Sequence, residues 1–268
     1  MLFCFLRALA RIRVTVAYAV VLTGVTTALV ALGPRAQSRV ISHASTNLHN
    51  LSHGHLGTLF VSAFVIDAGP IYVWLPGLIC LLATAELLWR SGRLVTAFAI
   101  GHVGATLLIA VGLTAAVESG WSSTDVTRAT DVGMSYGALA VLGSLTAAIP
   151  RRWRPAWVGW WIAAAASMVL RSGGFTASGH AVALILGMLL STRFGQAARW
   201  TRALSLLLLI ASAFGFLMMA GDGFSVMVAS AFGAFGAAVF TFMARYRRVR
   251  RSATQTSHAD AELTPEVA

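Results

Sequence analysis

No lysine occurs in this chain: all 20 basic residues are arginines. Acidic residues are few, nine in total, and charged side chains fill only 11% of the 268 positions. A water-soluble domain carries roughly 25%. So small a charged fraction cannot cover a soluble globule. No loop exceeds about 40 residues, too short for a separate domain. Cysteine is nearly absent. Cys4 and Cys80 lie in or beside apolar segments on opposite flanks of the chain, without the spacing that a thiolate metal site or a disulfide framework needs. They read as buried single thiols, and the redox compartment stays open.

What is abundant is apolar sequence, 57% of the chain. Several runs of about 20 mostly uncharged residues match a hydrocarbon core about 30 Å thick. The fold class that follows is an all-α polytopic membrane protein. A net charge of +11 raises the question of nucleic acid. The arginines, however, cluster at the ends of apolar runs, where inside-facing anchors belong. Nucleic acid is not an expected partner.

Arg7, Arg11 and Arg13 precede the first span, Val14 to Leu32. It is longer than a signal peptide's apolar region of roughly 7–15 residues and reads as a retained anchor. Gly33-Pro34 stops it, and 35–50 is expected to be an outer loop. Leu51 to Ile66 is apolar but short, as an interfacial or re-entrant segment would be, and Asp67-Ala-Gly-Pro70 breaks it. Further spans follow at 71–88, 94–117, 132–149, 156–170, 177–190, 203–220 and 224–244. Trp89-Arg-Ser-Gly-Arg93, Pro150-Arg-Arg-Trp-Arg154 and Arg245-Tyr-Arg-Arg-Val-Arg-Arg251 mark the inner face. The count gives a multi-pass protein of the cell membrane with eight spans and both termini cytoplasmic. Its regions are a cytoplasmic N-terminus (1–13), a transmembrane core (14–195), two additional spans with a basic end (196–251) and a disordered polar tail (252–268). The last arginine cluster is also suited to anionic lipid.

This topology brings Ser135 and His180 into the membrane from the same outer side at similar depth. A serine hydroxyl needs a base within about 2.6–3.2 Å to become a nucleophile. Histidine suits that role because its pKa lies near neutrality, and serine–histidine arrangements vary in their third member. The small residues Gly133, Gly137, Gly143, Ala183 and Gly187 allow the fourth and sixth spans to approach closely. The structural alternative is a serine bonded back to its own helix.

Other polar groups have plainer readings. His43, His49, His53 and His55 crowd one outer segment but lack regular metal-ligand spacing. No metal is expected there. Glu86 and His102 are intramembrane ionisable groups, suited either to a proton path or to hydrogen bonds at helix ends. Asp131 is placed to cap the fourth span.

Gly133-Met-Ser135, with Gly143 eight residues on, and His180 followed by Ala183 and Gly187, resemble the nucleophile and base motifs of the rhomboid superfamily of intramembrane serine proteases. Leu59-Phe-Val-Ser62-Ala-Phe64 resembles the apolar part of that family's long first loop. Glu86-Leu-Leu-Trp-Arg-Ser-Gly92 resembles its turn between helices two and three. The similarity spans about residues 14–195, and its style is closest to divergent rhomboid-like proteins of high-GC, actinobacterial type. It implies a six-helix rhomboid-like core, to which this chain adds two C-terminal helices. No metal or organic cofactor is implied. Two departures stand out. Tyr136 replaces the glycine after the serine, and Leu139 stands where an aromatic residue often packs on the histidine. The second-helix histidine and asparagine that supply oxyanion donors in active members are also missing, with Tyr72 the nearest polar group. Losing one such donor costs on the order of 3 kcal/mol in a soluble protease.

The resemblance implies a serine endopeptidase that cuts transmembrane segments of other proteins near the outer face. Ser135 would attack, His180 would carry the proton, and Gly133, Met134, Tyr136 and Tyr72 would line the oxyanion site and cavity. Two alternatives stay open: a catalytically silent relative that binds partner transmembrane helices, and a small-solute or proton-coupled transporter built on His102 and Glu86.

Overall fold

The computed structural model describes residues 9–66, 71–195 and 200–262. Cys4, the 67–70 break and the last residues of the tail lie outside them. Among the described residues all regular structure is helical: α1 (Arg13–Leu32), α2 (Pro34–Ala44), α3 (Leu48–Ser52), α4 (Thr58–Val61) with a 3-10 turn at Ser62–Phe64, α5 (Ile71–Glu118), a 3-10 turn at Thr124–Arg128, α6 (Ser135–Ser144) running into a 3-10 turn at Leu145–Ala147, α7 (Arg154–Ser172), α8 (Phe175–Ser191), α9 (Arg202–Ala220) and α10 (Gly223–Glu262). Within α1, α5, α9 and α10 are stretches long and apolar enough to cross a membrane.

α5 is 48 residues long, but it is two spans. A straight helix would separate Gly77 from Gly101 by about 36 Å. Yet Gly77 lies against Phe214, the neighbouring Gly215 lies against Leu142, and Gly101 lies against Ala140, two residues from Leu142. Those contacts require the chain to double back. The reversal is at Arg90, whose φ of 67° and ψ of 165° are non-helical, a region of backbone space that side chains other than glycine's adopt only under strain. The basic turn expected at 89–93 is therefore this one residue's departure from the helix. Ser91 Oγ donates to the Glu86 carboxylate across it at 2.7 Å.

α6 is the central element. From Ser135 to Ala147 it spans only about 20 Å, shorter than the hydrocarbon core, and every residue from Tyr136 to Ser144 is buried. Such a helix has no lipid-facing side, which is why its sequence is apolar all round. α5, α8 and α9 enclose it. A side-chain carbon at Gly143 would collide with the Leu184 carbonyl, and one at Gly187 with the Ala140 carbonyl. The α6 and α8 backbones are thus in direct contact, as their small residues predict. α10 meets α7 in the same way where Gly236 faces Gly159.

Three sequence expectations need correction. The loop expected at 35–50 contains α2, because Pro34 is pre-set for the first helical turn and Ile41 and Ala44 join a small outer core with Leu29 and Val65. The fourth helix starts at Ser135 rather than Val132, because Gly133 has φ 122°, which no helical turn accommodates. The tail expected to be disordered from 252 continues as helix to Glu262. No glycine or proline interrupts positions 237–264, and the strongest helix breakers are therefore missing there.

Residues 48–64, within the stretch expected to be interfacial or re-entrant, form two short helices and a 3-10 turn. Leu56, Phe60 and Val61 face outward while Leu59, Ser62 and Ala63 are buried, an arrangement suited to lying along a membrane boundary.

Candidate functional site

Ser135, Tyr136 and His180 gather at one end of the α6–α8 contact. Tyr136 and Gly179 meet directly: a side-chain carbon on Gly179 would collide with the hydroxyl end of the phenol. The Tyr136 ring stands edge-on to the His180 imidazole, centroids 5.6 Å apart and planes at 85°. Ring pairs favour this geometry because the positive edge of one meets the negative face of the other. Ser135, next to Tyr136 on the same helical turn, therefore lies near His180.

The chemistry within that group is incomplete. His180 is 7% exposed, and its Nε2 is buried with no hydrogen-bond partner. Ser135 is half-buried and donates no hydrogen bond to that nitrogen. Successive helical residues diverge by about 100°, so Ser135 and Tyr136 cannot both point at one spot on α8. Tyr136 occupies the position on His180. The aromatic partner that Leu139 fails to provide thus comes from Tyr136, three residues earlier. The two departures from the family pattern compensate for each other in packing.

Around these residues the backbone is held firmly. Gly133 N–H donates to the Ser62 carbonyl at 2.8 Å, and Met134, 7% exposed, precedes the first turn. Tyr72 does not join them. It is exposed, and its hydroxyl pairs with Thr27 on α1 at 2.8 Å.

Sequence reading missed a second serine–histidine contact. Ser62 Oγ and His102 Nε2 are 3.0 Å apart and buried, and Ser62 has no exposed surface at all. No substrate carbonyl reaches an enclosed hydroxyl of that kind. The contact fastens the first loop to the second half of α5, while the same residue's carbonyl fastens it to Gly133. The available signal was the family-like Leu59–Phe64 segment, which places Ser62 beside the core. Nothing in it names His102, 40 residues away, as the partner.

Asp131 also takes a different role from the expected cap. Its side chain caps no helix; its N–H donates to Ser45 Oγ at 2.9 Å, and its carbonyl accepts from Thr46 N–H at 2.9 Å. The Tyr136 hydroxyl is buried near the Asp131 carboxylate yet has no partner at hydrogen-bonding geometry. Burial pushes the Asp131 carboxyl up to about 6, with the Thr46 hydroxyl acting in the other direction. Because folding raises this pKa, the buried, closed arrangement around Asp131 is at full stability below the ordinary carboxylate value near 4 and loses it as pH rises through about 6, when the buried carboxyl must ionise. Corrected for intrinsic rates, the Thr46 amide is expected to be better protected from deuterium exchange at about pH 5 than at about pH 7.5. Equal protection would contradict this account of the carboxyl.

Glu86 and His102 are both engaged as structural ties. The Glu86 carboxylate accepts from Val14 N–H, Thr15 N–H, Thr15 Oγ1 and Ser91 Oγ. In the histidine-rich segment 43–55, the His49 and His53 rings lie 4.4 Å apart. Among the described residues no group of three or more metal-ligating side chains converges.

A helical bundle with several membrane-length spans, a short central helix and a serine and histidine near one end of it is an integral membrane protein of rhomboid type. The family model described as rhomboid-like protein matches residues 9–199, and the chain belongs to that family. No curated protein and no solved structure matches it.

Proposed function

We propose that this protein is a rhomboid-like membrane protein that engages transmembrane helices of partner proteins without cutting them, oriented with its arginine-rich ends in the cytoplasm of a cell membrane. One observation carries the reading. Tyr136 fills the approach to His180, whose buried Nε2 has no hydrogen bond to Ser135. A base that does not hold the serine proton leaves the hydroxyl a weak nucleophile. The missing second-helix oxyanion donors act in the same direction.

A specific feature favours the proteolytic reading as the second. An orphaned buried nitrogen costs about 1–3 kcal/mol, and Tyr136 already supplies the aromatic contact that steadies the imidazole. Displacement of the phenol by an incoming substrate helix would open His180 to Ser135. In that case Ser135 attacks the scissile carbonyl, His180 takes its proton, and the backbone N–H groups near Met134 and Ser135 face the developing oxyanion.

A fluorophosphonate probe on folded protein in micelles separates the two. Wild type is expected to remain unlabelled, as are S135A and H180A, while Y136G gains labelling that depends on Ser135. Wild-type labelling that disappears in both S135A and H180A would overturn the non-cleaving reading and establish the second.

A further inference from the structure

At the end of the bundle opposite Ser135 and His180, four helices leave a cleft of about 850 Å³ between the end of α6, the start of α7, the end of α8 and α10. Its volume is that of a ligand site rather than a packing flaw. The lining combines Arg154, Arg247, Arg248 and Thr192 with the apolar side chains of Val158, Met188 and Phe240. Among the described residues the lining contains no acidic side chain. Arg154 is anchored by its Nε to the Ile149 carbonyl at 2.8 Å and by Nη2 to the Ala147 carbonyl. Two of its five N–H groups are thereby used to fix the guanidinium in place, and the rest remain as donors. Arg247 is exposed on α10, one turn from Met243, which also lines the cleft.

We propose that this cleft binds one anionic phospholipid, its phosphate held by Arg154 and Arg247 and one acyl chain laid along Val158, Met188 and Phe240. Charge selects the headgroup, because guanidinium groups hold phosphate oxygens through directed, charge-assisted hydrogen bonds. The apolar walls select a lipid over a free phosphate, which would leave them uncovered. Basic pockets between membrane helices are well suited to this class of ligand. The bound lipid bridges α8 to the α7–α10 pair at a place where the protein itself does not close the gap.

The test uses the full chain in zwitterionic-lipid nanodiscs, titrated with phosphatidylglycerol and read by native mass spectrometry. Phosphatidylcholine and inorganic phosphate are the comparison ligands. One retained phosphatidylglycerol is expected per chain. Arg247→Gln should weaken it about fivefold. Ala244→Trp, which fills the cleft without changing its charge, should abolish it. Arg245→Gln, on the same helix but outside the lining, should leave it unchanged. Equal weakening by Arg245→Gln and Arg247→Gln would mean diffuse attraction to the arginine cluster and overturn the site. Equal retention of phosphatidylcholine overturns the role of charge, and equal affinity for inorganic phosphate overturns the lipid. Should Ala244→Trp fail to fold, the contrast between the two arginine variants decides the matter alone.

Discussion

Glu86→Ala is expected to loosen the start of α1 and to cost the protein about 3 kcal/mol or more. The reason is an unusual cap. Ile12, before the first turn of α1, provides no side-chain hydrogen bond, and the first N–H groups of any helix have no partner within it. Here the carboxylate of Glu86, 72 and 71 positions later, takes the Val14 and Thr15 N–H groups at 3.0 and 2.8 Å, and the Thr15 hydroxyl at 2.7 Å. Negative charge at this end of a helix also meets the positive pole of its dipole. Alanine removes the acceptor and leaves those donors buried. Glu86→Gln keeps the shape and one acceptor oxygen, and about half the loss is expected. Unfolding in mixed micelles gives the ranking wild type, then glutamine, then alanine. Equal stability of all three would show that α1 is held by lipid and packing alone.

Gly187→Val is expected to separate α8 from α6 at a cost of about 3 kcal/mol or more. The nearest neighbour is the Ala140 carbonyl, a backbone group in the middle of a buried helix. It cannot turn aside as a flexible side chain would. Gly143→Ala should act in the same direction, since the Leu184 carbonyl occupies the equivalent space. Gly112→Ala provides the contrast. Nothing lies within 4 Å of the new carbon, and an alanine in an open helical position gains about 0.5–1 kcal/mol. Opposite signs at Gly187 and Gly112 on thermal unfolding would establish the crossing. Similar small effects at both would argue that the helices are not in backbone contact.

Much of the architecture was legible because a bilayer imposes simple rules. Apolar length marked the spans, and arginine clusters marked the turns, including the one at Arg90. Small residues on α6 and α8 marked the helices that touch. What was not legible depends on partners distant in sequence. Periodicity shows which face of a helix is apolar but not which neighbour it meets. Ser62 with His102 and Tyr72 with Thr27 were therefore invisible. The start of α6 was misplaced because the positive φ of Gly133 is a backbone property that composition does not report. At the candidate site, Tyr136 and Leu139 looked like two separate losses. Only the geometry shows that one ring has moved along the helix to do the other's packing.

The family match ends at 199, but the contacts do not. Phe214 covers Gly77, Gly215 covers Leu142, and Gly236 meets Gly159 backbone to backbone. The stretch carrying the recognisable ancestry is thus smaller than the stretch that coheres mechanically. α9 and α10 are not an appendage hung on a finished core. They form part of its wall, so removing them would strip the packing from Gly77, Leu142 and Gly159 inside the matched stretch.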